Sequence, residues 1–143
     1  LELKARIRID KEMKINISYD TNAKFPERII YLIKALRNSV AHNDVVFDVR
    51  FKDSNINSKL CKYIESEIGC TNIDFSTITD YILIIAFLLK KYKISKTELN
   101  HFINEYENII EEFRNNIPFN IYSQIIHTDT KLKLTQLRKY IKK

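Results

Sequence analysis

One glycine in 143 residues, Gly69, and two prolines, Pro26 and Pro118, leave this chain few places where its backbone can reverse sharply. An all-β fold depends on frequent tight turns, and such turns draw heavily on Gly and Pro. Long helices with short joints are therefore expected. A hydrophobic content of 45% over this length supplies one compact core, and the length itself argues against two independent domains.

Apolar periodicity carries that expectation along the chain. Phe25, Ile29, Ile33, Leu36 and Val40 recur at three- and four-residue steps behind Pro26, so a core-facing helix runs to Ala41. Ser58 to Ile68 reads as a short helix closed by Gly69, where a left-handed cap residue is wanted. Residues 76–93 are apolar nearly all round, as suits the central helix of a bundle. Ser95-Lys96-Thr97-Glu98 is a capping-box signature that opens a helix to about Asn116. Pro118 starts a brief helix through Ile126, and a last helix spans about 131–142.

Two stretches depart from this pattern. Leu1, Leu3, Ala5, Ile7 and Ile9, then Met13, Ile15, Ile17 and Tyr19, alternate with polar residues, and period two predicts strand. Asp10-Lys11-Glu12 interrupts the set, which suggests a hairpin. Val45, Phe47, Val49 and Phe51 alternate as well, so residues 45–51 and 1–19 are expected to form a small sheet. Residues 1–24 thus read as a β-hairpin-like lead segment continuing a longer protein, since the chain does not begin with Met, and residues 25–143 as a helical bundle. The fold class is mainly α.

Charge narrows the partners. The net charge is +6, and residues 128–143 carry six of the Lys and Arg against a single acid, Asp129. Residues 94–127 carry two basic and five acidic side chains. The basic tail, through Lys131, Lys133, Arg138, Lys139 and Lys142, suits a phosphate backbone. It equally suits an amphipathic helix with its charged side in water. The longest apolar run, Tyr81 to Leu89, is about half of a membrane span, so no membrane association is expected. Cys61 and Cys70 are the only cysteines, which fits a reduced, cytoplasmic setting without a structural metal. Glu98, His101 and Glu105 share a helix face, read as a solvated one. His127 and Asp129 read as capping or surface residues at a helix joint, and the tyrosines as core or rim.

Function is arguable at Leu36-Arg37-Asn38-Ser39-Val40-Ala41-His42-Asn43. An imidazole titrates near neutrality and serves as acid or base, while a guanidinium stabilises phosphorane charge without changing protonation. Five helical steps rotate by about 500°, so Arg37 and His42 point roughly 140° apart, whereas Lys34, Asn38 and His42 align at four-residue steps. The arrangement makes better sense as half of a site than as a whole one. A purely structural reading has Arg37 and His42 capping a helix and meeting a carboxylate.

This octapeptide, with Val45 to Phe51, Asp80 to Lys91 and Asn115 to Ile125, resembles the abortive-infection branch of the HEPN superfamily over roughly residues 25–127. Its hallmark is arginine, a polar residue, three variable positions and histidine. The resemblance implies a HEPN-like helical bundle that dimerises to form a composite, metal-independent endoribonuclease site acting in phage defence or as a toxin, without a cofactor. Arg37 and His42 then match the catalytic pair and Asn38 the polar position, while Lys34, aligned with Asn38 and His42 on the helix, joins Asn38 as a phosphate-supporting candidate. The implied partners are RNA and a second copy of the chain; a third reading is a sequestered toxin whose site an upstream or antitoxin-like regulatory segment covers until a trigger arrives. The alternative is a catalytically silent HEPN module that binds RNA or a partner protein.

Overall fold

The computed structural model describes residues 2–16, 18–42 and 58–143. Among these, seven helices and no strands are present: α1 (Leu3–Glu12), α2 (Phe25–Ala41), α3 (Ser58–Ile68), α4 (Ile78–Lys91), α5 (Lys96–Asn116), α6 (Phe119–Ile125) and α7 (Thr130–Lys142). The protein is mainly helical, as the scarcity of turn residues implies.

Local signals account for most element ends. Ser95 Oγ accepts the Glu98 N–H at 3.2 Å and the Glu98 carboxylate accepts from the Ser95 N–H, so the capping box is fully made. Hydrogen bonding to Ser95 holds the Glu98 carboxyl below its ordinary range. Gly69 ends α3 at φ +82°, and the Gly69 and Cys70 N–H groups both donate to the Glu65 carbonyl. Such a left-handed end suits glycine because no Cβ meets the carbonyl. Asp20 stands before α2, its carboxylate accepting from the Lys24 and Phe25 N–H groups at 2.8 and 2.7 Å.

Helix α4 forms the centre, and none of its residues is fully exposed. Leu83, Ile84, Ala86 and Phe87 are wholly buried, facing Leu99 and Ile103 of α5, Leu137 and Ile141 of α7, and Leu60 and Ile64 of α3 within one apolar cluster. Helices α4 and α7 run the same way: Lys133 reaches Asp80 at the start of α4, and Tyr140 stacks on Phe87 toward its end, with ring centroids 6.2 Å apart. Helix α5 runs opposite, its first residue Lys96 donating to the Lys142 carbonyl and its Tyr106 hydroxyl meeting Thr79 Oγ1 at 2.9 Å. Truncating Phe87 to alanine would cost about 3–5 kcal/mol by the usual scale for buried aromatics.

The strand expectation for residues 1–19 is corrected: residues 3–12 are helical. As a helix the segment turns Ala5, Arg6, Ile9, Asp10 and Met13 toward α2 at four-residue steps, leaving Leu3 and Ile7 54% and 52% exposed. Arg8 and Glu12 add an ion pair one turn apart at 2.9 Å. The alternating stretch 45–51, with the sheet expected of it, lies outside the described residues.

Candidate functional site

Helix α2 buries Phe25, Pro26, Ile29 and Leu32, and this burial rotates the opposite stripe outward. Lys34, Arg37 and His42 are all exposed there, and Asn38 is half-buried. His42 is the residue after the last helical one, and its backbone N–H closes the helix on the Asn38 carbonyl at 3.0 Å. Its imidazole therefore sits where the helical path ends, free of the strict angular relation that a further turn would impose. Arg37 Nη1 donates to Asn38 Oδ1 at 3.1 Å. That bond orients the guanidinium along the helix surface and leaves most of its donors to solvent or a ligand. Lys34 Nζ lies 5.9 Å from the Tyr31 ring, a distance at which the ammonium still feels the ring face.

The surroundings of this stripe are apolar as well as basic. Ile30 and Tyr31 are 49% and 63% exposed on the same side of α2. No hydrogen bond joins Arg37 to His42 among the described residues; within one chain they are two neighbouring presentations and not a closed pair.

The basic tail divides differently from its sequence. Lys133 is 4% exposed, and its ammonium donates to Asp80 Oδ1 and to the Asn72 carbonyl, both at 2.8 Å, with Asp129 Oδ2 at 3.3 Å. All three of its protons are used inside the fold. Its assignment as an RNA contact is corrected: it is a core ion pair. Burial works against its charge, but the hydrogen bond it donates to Asp80 and the charges of Asp80 and Asp129 outweigh this and hold the ammonium protonated above its ordinary range. Arg138 lies against α5, with Nη2 on Asn104 at 2.7 Å and on Glu107 at 2.5 Å. Lys131, Lys139 and Lys142 remain exposed.

Asp80 is the residue that sequence reasoning missed. It is fully buried at the first turn of α4, where Oδ2 also accepts from the Asp74 and Phe75 N–H groups at 3.1 and 3.0 Å. Its one signal in the sequence is its position as the lone charge in the apolar run from 78 to 89. The other unanticipated polar group lies under α1. Asp10 is pushed up to about 7, first by burial and then by the Asp20 carboxylate, with Arg6 opposing. Arg6 Nε, Asp10 Oδ1 and the Tyr63 hydroxyl are buried there without a hydrogen-bond partner among the described residues.

Two cavities adjoin at the α6–α7 joint. One, of about 660 Å³, lies between α5, α6 and α7, with Ile110, Tyr122, Ile126 and Leu134 in its walls and Arg114 and Lys131 at its edge. The other, of about 490 Å³, is polar and bounded by Asp74, Asp129 and Lys133; Ser123, His127 and Thr128 belong to both. His127 thus faces a cavity, beyond the surface role expected of it. Cys61 and Cys70 are free and buried, and burial pushes both thiols up to about 11, which makes them poor nucleophiles. Among the described residues no three His, Cys, Asp or Glu side chains converge as metal ligands, and no helix is long and apolar enough to cross a membrane.

Comparison of the chain with protein-family models, with curated proteins and with solved structures returns no match.

Proposed function

We propose that this chain is a HEPN-like endoribonuclease domain of a phage-defence or toxin system, and that it cuts RNA as a homodimer in the cytoplasm without a metal. The observation that carries the reading is the outward stripe of α2, on which Arg37 and His42 stand in solvent beside Asn38 and Lys34. Phosphodiester cleavage by a neighbouring 2′-hydroxyl needs one group to take the hydroxyl proton and another to give a proton to the departing 5′-oxygen. His42 supplies one of these. His42 of the partner subunit supplies the other once two α2 helices lie side by side. Arg37 then stabilises the pentacoordinate phosphorane, and the products are a 2′,3′-cyclic phosphate and a free 5′-hydroxyl. The exposed Ile30 and Tyr31 support such pairing, because apolar side chains of this size gain from being covered.

The test is purified protein incubated with total RNA in EDTA, wild type beside His42→Ala and Arg37→Ala. Wild type is expected to cut, and His42→Ala to lose about 10²- to 10⁴-fold. Intact RNA with wild type, or equal cutting by both variants, rejects the assignment. A catalytically silent module that binds RNA or a protein draws on the same apolar pair, and is the reading left if wild type binds RNA without cutting it.

A further inference from the structure

One end of the bundle gathers three helix ends and an unusual density of lysine. Helix α4 closes there with Lys90 and Lys91, and the turn that follows reads Tyr92-Lys93-Ile94-Ser95 before Lys96 opens α5. Helix α7 arrives beside them with Lys139, Lys142 and Lys143. The juxtaposition is direct. Lys90 donates to the Tyr140 carbonyl and lies over the Tyr140 ring, 4.1 Å from its centroid, while Lys96 Nζ donates to the Lys142 carbonyl at 2.6 Å. Carbonyls hold these ammonium groups in place without neutralising them. Among the described residues Lys91 alone of this group has a carboxylate partner, Glu67 at 3.1 Å, and Glu98 stands in the first turn of α5, engaged by Ser95. The crowding shows on Lys90, whose ammonium is held below its ordinary range by burial and then by Lys96, Lys143 and Lys91.

The turn adds two further observations. Tyr92 is 64% exposed amid these charges. Lys93 occupies the left-handed position that ends α4, at φ +62°, with the Ile94 N–H returning to the Leu89 carbonyl at 3.0 Å. Glycine is the residue of lowest energy at such a position, so this chain keeps a lysine there against its conformational preference.

We infer that this lysine-rich pole, with Tyr92 at its tip, is a docking surface for single-stranded RNA. Ammonium groups on three converging helix ends follow a phosphate backbone without reading sequence, and an exposed ring offers a platform for one base. An anionic membrane would find the same charge but little to embed, because among the described residues the large apolar side chains exposed in this turn are Tyr92 and Ile94. The inference rests on RNA as the substrate class proposed above and is independent of whether the chain cuts it.

The test uses the His42→Ala protein in EDTA, so that binding is read without cleavage, with a fluorescein-labelled single-stranded RNA of ~20 nucleotides followed by anisotropy across a salt series. Lys93→Gly is the informative variant: it relieves the left-handed strain and is expected to raise the melting temperature by about 3 °C. At ~0.1 M salt it should bind RNA about threefold to fivefold more weakly, with a log–log salt slope smaller by about 0.7. A more stable protein that binds less well excludes misfolding as the cause. Lys139→Gln with Lys142→Gln should lower the slope further, whereas Arg114→Gln, in the last turn of α5 and so at its far end from Lys96, should leave it unchanged. Unchanged slopes in all pole variants overturn the inference, as does binding to vesicles containing phosphatidylserine with none to RNA. Binding through the pole by a wild-type protein that does not cut preserves it and rejects the ribonuclease; cutting with no effect of the pole variants does the reverse.

Discussion

Asp80 shows how much one side chain can organise. It takes two backbone N–H groups from the loop before α4 and one ammonium proton from α7, all without exposed surface. Phe75 in that loop is held at φ +56°, a conformation that costs energy unless its surroundings enforce it, and its N–H is one of the two that Asp80 accepts. Replacing Asp80 with Asn keeps the shape and one acceptor but leaves the Lys133 charge buried beside Asp129 alone. The expected cost is about 3–5 kcal/mol in urea unfolding, the usual range when one partner of a buried pair is removed. A loss under ~1 kcal/mol would mean that Lys133 finds water instead of the interior.

At the scale of elements, α1 depends on a carboxyl pair. Asp10, on α1, sits against Asp20, which caps the start of α2, and burial with that neighbouring carboxylate pushes it from the ordinary 3.8 up to about 7. The folded chain therefore holds this proton more tightly than the unfolded chain. Its contribution to stability is fully present below about 4, declines as pH rises between the two values, and is gone above 7. Asp10→Asn should raise the melting temperature at about pH 8 and change it little at about pH 4. An equal effect at both pH values would separate Asp10 from this behaviour. The helices from α2 onward were legible in the sequence because their signals are local: Pro26 at the start of α2, Gly69 after α3, the box at Ser95 and Glu98. Helix α1 was not. Its charged residues alternate with apolar ones, a pattern that a strand and a partly solvated helix both satisfy, and only packing on α2 decides between them.

For the whole molecule, legibility fell with sequence separation. Arg37 and His42 could be singled out from one octapeptide, and their outward placement followed from the apolar side of α2. Their relation to each other could not, because helical rotation points them apart and His42 stands where the helical path ends. Lys133 looked like any other lysine of the tail, since its partner Asp80 stands 53 residues earlier. The basic pole was hidden for the same reason: Lys90, Lys96 and Lys142 belong to three separate helices that only the fold brings together.

The pairing of residues 80 and 133 also sets an order of events on the ribosome. Helix α4 leaves the exit tunnel with a carboxylate that has the Asp74 and Phe75 N–H groups at hand but no counter-charge until some fifty further residues have been made. The α7 side chains that complete the apolar cluster around α4 arrive in the same late stretch. A chain stopped after Thr128 is expected to melt without cooperativity, and a peptide of residues 129–143 added in trans to restore part of its ellipticity. A sharp melt from the shortened chain would show that α4 settles before its counter-charge is made.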